Sequence, residues 1–119
     1  MPPLIVSRRR SGLITIVDLR GKIELGEASL TLRRTINDLL DAGQTRIILN
    51  FADVSSMDSA GVGELAGAFM PVKSKDGELK FLNPTKKVHD TLQITQLDRV
   101  YKVYMDEQTA IQSFSETAH

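Results

Sequence analysis

The chain has no cysteine, which excludes disulfides, zinc–thiolate centres and cysteine nucleophiles and is compatible with a reducing cytosol. Histidine is almost as scarce. His89 has no second histidine nearby and His119 ends the chain, so no metal pair is expected, and nothing else calls for a cofactor. No charge of either sign predominates. Lys+Arg and Asp+Glu both number 15, so the formal net charge is zero and no basic field draws in nucleic acid directly. No apolar run approaches the ~20 residues of a membrane span. Met1–Val17 fails as a signal peptide, because only Leu13-Ile14-Thr15-Ile16-Val17 separates the arginines from Asp18 and Arg20. These absences predict a soluble, cytoplasmic protein without membrane insertion. Its 119 residues are enough for one domain, spanning 1–119, with a core that needs no covalent staples.

What is present is an alternation of short apolar runs and helical stripes. Pro2-Pro3 forms a stiff leader, and Leu4-Ile5-Val6-Ser7 reads as a first strand. Arg8-Arg9-Arg10 is either a small anion patch or a charged guard on an exposed edge. Ser11-Gly12 marks a tight turn, so Leu13–Leu19 returns as the second strand. Glu27–Ala42 is a helix with Ala28, Leu32, Ile36, Leu39 and Leu40 on one face and Gly43 beyond its end. Thr45–Phe51 is the third strand, and Ser59 to about Lys73 the second helix. Asp76-Gly77 turns the chain into a fourth strand, Glu78–Leu82. Asn83 and Pro84 are expected as N-cap and first residue of a third helix burying Val88, Leu92 and either Thr91 or Ile94. Arg99–Tyr104 reads as a fifth strand. Asp106 caps a last helix that packs Ala110, Ile111 and Phe114, and Ser115–His119 is expected to fray. The order predicts an α/β fold: a mainly parallel five-stranded sheet, its first strand an antiparallel edge, with about four flanking helices.

The chain is organised around Asn50–Leu65, where the buried run Ile47-Ile48-Leu49 leads into a helix whose apolar stripe is Val62, Leu65, Ala66, Phe69 and Met70. Asp58-Ser59 stands where that helix begins. Helix N-termini after strand ends are where α/β proteins commonly keep their chemistry. In one reading Asp58 or Ser59 is simply the N-cap. In the other, Ser59 is a phosphorylation switch: a phosphate adds roughly −1.5 to −2 charges, either held by the helix N-terminus or repelling a docked partner beside Asp58. Ala60, Gly63 and Gly67 form a small-residue face on the same helix. A glycine inside a helix costs about 0.8–1 kcal/mol against alanine, so this face serves either close helix–sheet packing or a partner lying flat against it.

Catalysis by the chain itself is poorly supported. Met57-Asp58-Ser59-Ala60-Gly61 lacks the first glycine of a hydrolase nucleophile elbow. Gly61-Val62-Gly63 is too short for a phosphate-cradling loop and no Gly-Lys-Ser/Thr follows. Asp18 and Asp53 do not make the acidic set of a receiver domain. The protein is therefore not expected to be an enzyme.

Asp58-Ser59-Ala60-Gly61-Val62-Gly63 after a buried strand resembles the Asp-Ser-(Ser/Thr)-Gly-(Leu/Val)-(Gly/Ala) signature of the STAS domains of anti-sigma factor antagonists. Gly21-Lys22-Ile23-Glu24 is similar to that family's Gly-x-(Leu/Ile)-(Asp/Glu) segment, and element order matches over nearly the whole chain. Ala60 departs from the pattern, standing where a second hydroxyl residue is usual; this leaves the phosphoacceptor in place and bears on how kinase or phosphatase would recognise it. The resemblance implies a phosphorylation-switched binding module that docks on an anti-sigma factor serine kinase while Ser59 is unphosphorylated, releasing a sigma factor for transcription. It further implies a PP2C-type phosphatase as second partner, and it leaves room for a weak homodimer. Asp58, Ser59, Ala60, Gly61, Gly63 and Gly67 would then form the partner surface. Glu24 would shape its flank, unless it is only a first-turn acid favoured by the helix dipole. The alternative is a STAS-type scaffold or accessory subunit of a transport or stress-signalling complex, with no phosphorylation cycle.

Overall fold

Alternating apolar residues build the sheet from the inside out. In the computed structural model, which describes residues 3–116, Ile47, Leu49 and Phe51 of the central strand enter one buried cluster and Ile48 enters another on the opposite face. That is the period of two of a strand buried on both sides. The strands are β1 (Ile5–Ser11), β2 (Ile14–Ile23), β3 (Arg46–Met57), β4 (Glu78–Leu82) and β5 (Val103–Tyr104). They lie in the order β1-β2-β3-β4-β5, with β1 antiparallel to β2 and all other pairs parallel. The expected mixed sheet with an antiparallel edge is what forms. Gly12, in the left-handed region at φ 59, makes the β1–β2 turn and leaves Leu13 exposed.

Helices cover the two faces unequally. The larger cluster packs under α1 (Glu27–Asp41), α2 (Ser59–Gly67), α3 (Phe69–Ser74), α4 (Lys86–Ile94) and α5 (Leu97–Val100). On the other face α6 (Glu107–Glu116) sets Ala110 and Phe114 on Ile14, Ile16, Ile48 and Leu82. Arg9 fastens this side. Its guanidinium donates to Asp18 at 2.6 and 3.0 Å and to Glu107 at 2.7 and 3.1 Å. The middle arginine of the run is therefore a cross-brace between β1, β2 and α6 rather than part of a free anion patch. Buried Lys80 adds a second tie, donating to Ser113 at 2.7 Å under the Phe114 ring.

Several elements depart from the sequence pattern, each for a physical reason. β3 runs to Met57 instead of ending at Phe51, because β2 also continues to Ile23 and pairs with it. The single helix expected from Ser59 to Lys73 is broken at Ala68. Pro71 has no N–H for the Gly67 carbonyl, and its ring crowds that carbonyl. The turns before and after the break therefore bury Gly61, Leu65, Ala68 and Val72. Val62 is half-buried, and Ala66, Phe69 and Met70 are exposed. The third helix starts at Lys86 with Thr85 as its N-cap, not at Pro84 with Asn83. Asn83 instead takes a left-handed φ of 56 and donates its amide to Tyr104 O at 2.7 Å. Ile94 is exposed, so Val88 and Leu92 carry that helix's packing. The fifth strand shrinks to Val103–Tyr104, because a left-handed Gln96 turns the chain into α5 and buries Leu97. These changes give six helical segments among the described residues where about four were expected. Asp106 caps α6 through Thr109, as its position implied. Helix persists through Glu116; the remaining expectation of fraying, for Thr117–His119, and the Pro2 part of the leader lie outside the described residues.

The Tyr101 hydroxyl links the α5 segment to α2. It donates to Leu65 O at 2.6 Å in the buried interior, and burial pushes the phenol up to about 12. Tyr101→Phe keeps the ring against Phe81, 4.9 Å away, and removes only this bond. A loss of about 1 kcal/mol is expected, read as a lower urea midpoint with an unchanged slope.

Candidate functional site

The site begins where β2 and β3 outrun the rest of the sheet. Past β4 they remain paired through Arg20↔Asp53, Gly21↔Val54, Lys22↔Ser56 and Ile23↔Met57, with two register shifts on the way. Each shift inserts an extra residue on β3, so Phe51, Val54 and Met57 bury at a spacing of three. The two strands end side by side, and the Asp58 amide donates to Ile23 O at 3.1 Å.

Asp58 then joins three backbone groups. Its Oδ1 accepts the Ala60 and Gly61 amides at 2.9 and 3.2 Å, which makes it the N-cap of α2. Its Oδ2 accepts the Leu25 amide at 2.9 Å, clipping the β2–α1 turn to the same carboxylate. The Leu25 bond first, then those of Gly61 and Ala60, hold the Asp58 carboxyl below the usual carboxylate range. Of the two residues considered for the cap, Asp58 alone fills it. Ser59 is the first helical residue, exposed, with its hydroxyl outside the cap.

The glycines of α2 divide by function. At Gly61 an added Cβ would meet Met57 Cγ at 2.6 Å and Ile23 Cγ2 at 2.7 Å, so this residue lets the helix sit directly on the strand ends. At Gly63 and Gly67 nothing lies within 4 Å, and neither serves close helix–sheet packing. Both line, with Ala60, a groove of about 750 Å3 between α1 and α2–α3. Glu24 lies elsewhere, lining a neighbouring cavity of about 420 Å3 with Lys22 and Ser55. Ala60, Gly63 and Gly67 thus line one groove, Asp58 and the exposed Ser59 precede them at the start of α2, Gly61 lies beneath the helix, and Glu24 lines the neighbouring cavity.

Two features of this surface escaped the sequence pattern. Leu25 is 82% exposed beside Asp58 and borders both cavities; an apolar residue outside any helical or strand period was the available signal. Across the groove Arg33 of α1 makes a two-pronged pair with Glu64 of α2, at 2.8 and 2.6 Å. Nothing short of the fold brings those two together. Among the described residues no three His, Cys, Asp or Glu side chains gather as a metal site would require, and no helix is long and apolar enough to cross a membrane.

A STAS domain model matches residues 6–110. The chain belongs to the STAS domain family. An anti-sigma-B factor antagonist of Bacillus subtilis is 32% identical over 97 residues, covering 81% of this chain and 86% of that protein. The anti-sigma factor antagonist SpoIIAA, solved in its unphosphorylated form, superposes with a TM-score of 0.80 at 25% identity, over 94% of this chain and 97% of that one. SpoIIAA has also been solved in a phosphorylated form, which matches with a TM-score of 0.71 at 25% identity over 92% and 99% of the two chains.

Two predictions follow from this STAS site. Gly61→Ala gains helix propensity but must displace the stiff Ile23 side chain, and a net loss of about 1–3 kcal/mol is expected; Gly63→Ala has open space and should gain about 0.5–1 kcal/mol, both read by thermal or urea unfolding. The second concerns pH. Folding lowers the Asp58 pKa, so the carboxylate's stabilisation is complete above the unfolded value of about 4. It is lost as pH falls through the lowered value. The amide proton resonances of Leu25, Ala60 and Gly61 should share one inflection below the ordinary carboxylate range, and Asp58→Asn should abolish it.

Proposed function

We propose that this STAS domain is an anti-sigma factor antagonist whose docking is switched by phosphorylation of Ser59. The observation that carries the reading is the separation of duties at the start of α2: Asp58 holds the helix end, and the exposed Ser59 hydroxyl is left out of the cap. Unphosphorylated, the protein offers Asp58, Ser59, Ala60, Gly63 and Gly67 as a low-relief face, with Glu24 beside it and Gly61 seating the helix from below. An anti-sigma factor serine kinase in the cytoplasm docks there and gives up its sigma factor. The kinase then transfers phosphate from ATP to the Ser59 oxygen, displacing ADP and releasing the hydroxyl proton. The new charge beside Asp58 ends docking, and a PP2C-type phosphatase restores the hydroxyl.

Wild type, Ser59→Ala and Ser59→Asp serve as paired baits in ATP-depleted cytosol of the native cell. Wild type and Ser59→Ala should retain a kinase that Ser59→Asp loses, and with ATP restored the captured kinase should phosphorylate wild type at Ser59 alone, read by mass spectrometry. Equal retention by all three baits, or retention of transport or scaffold proteins instead, would return Ser59 to the role of a first helical residue.

A further inference from the structure

The break between α2 and α3 leaves an apolar ridge at the surface. The periodicity assigns Ala66 and Phe69 to the core, yet both face solvent, Phe69 being 36% and nearby Val100 46% exposed. Phe69 packs its ring against buried Tyr101, centroids 6.2 Å apart, and Lys73 Nζ lies 5.5 Å from the same ring. Phe69 and Val100 together separate two depressions. One, of about 430 Å3, has Val72, Leu79 and Tyr101 in its wall with Lys73 and Lys102 at the rim. The other, of about 470 Å3, is formed with Ala66 and Leu97 and edged by Arg99. The acids bordering the first depression are Asp76 and Glu78, and Glu78 is paired with Lys80. In a chain of zero net charge, Lys73, Arg99 and Lys102 concentrate positive charge around exposed apolar surface.

We propose that this ridge is a second docking face and that it takes an acidic amphipathic helix of another protein. Two hollows on either side of a ridge fit apolar side chains from successive turns of a helix, and acidic residues flanking them would meet the three cations. A second copy of this chain docking through the same face would bring like charges together. A membrane would meet the ridge but leave the hollows unfilled. The face does not rest on the Ser59 reading, because Ala66 lies seven residues further along α2, about 10 Å along the axis.

The test titrates 15N-labelled protein with a helical peptide of roughly four turns bearing Leu at i, i+3, i+4 and i+7 and Glu elsewhere. A Lys-for-Glu counterpart and phosphatidylglycerol vesicles are the comparisons. Shifts should concentrate at Ala66, Phe69, Val100 and Lys102. The acidic peptide should bind at least about tenfold tighter than the basic one, and less tightly as salt rises. Phe69→Ser with Val100→Ser should remove binding, whereas Ser59→Asp should leave it unchanged. Should that double variant misfold, Lys73→Glu with Arg99→Glu should reverse the preference between the peptides. Absence of binding, equal binding of both peptides, preference for vesicles, or shifts centred on the α1–α2 groove would each overturn the proposal.

Discussion

The parallel ladder between β2 and β3 governs how the site is assembled. Both strands continue past the last paired residues of β4 and of β1, and two register shifts carry them to a common end at Ile23 and Met57. That meeting point is the seat on which α2 rests, since Gly61 lies against both side chains. It also brings the β2–α1 turn within reach of Asp58, so one carboxylate can hold Leu25 on one side and the first turn of α2 on the other. A bulge is a local loss of pairing. Here it determines which residues face the core at the end of the ladder, and so which face of α2 is left outside.

Much of this architecture was legible in the sequence because the relevant periods were clean. α1 shows one apolar stripe, and Leu32, Ile36, Leu39 and Leu40 are buried as the stripe implies. Asp58-Ser59 was legible as a helix start from residue type alone. The boundaries were lost where a second constraint overrode the local pattern. Val54 and Met57 did not look like strand residues because bulges changed the period from two to three. The Ser59–Lys73 helix read as continuous because its apolar stripe masked Pro71, whose missing N–H was a visible warning. Asn83-Pro84 carried strong N-cap chemistry, but Thr85 also donates to Val54 O at 3.0 Å, and that tertiary bond favours the later start. The Arg33–Glu64 pair joins residues from separate helices, and no local pattern reports such a meeting.

α2 is short, broken at its end and contains three glycines. Its intrinsic helicity is low, because each interior glycine raises the cost of ordering the chain. Its stability therefore comes from its attachments: the Asp58 cap at one end, Leu65 in the core, the Tyr101 hydroxyl near the other end, and Arg33 across the groove. An element held by a few discrete contacts presents a defined surface without large side chains. Gly63 and Gly67 keep that surface low, so a partner backbone could approach the helix closely.

The same contacts constrain what a phosphate on Ser59 could do. A helix N-terminus is normally a ready anion site, because the amides of its first turn have no intrahelical acceptor. Here the Asp58 amide is bonded to Ile23, and the Ala60 and Gly61 amides are bonded to the Asp58 carboxylate. A phosphate could claim the latter two only by displacing a carboxylate already held below its ordinary pKa by those bonds and by Leu25. Displacement would also release the β2–α1 turn and with it Leu25. If the cap holds, the Ser59 amide is the first-turn donor that Asp58 leaves open, and a phosphate there would otherwise face solvent beside a fixed negative charge. Repulsion by Asp58 favours this outward placement, and the capped helix need not rearrange to adopt it. On this arrangement an added charge would act on whatever approaches the face and would leave the fold beneath it unchanged.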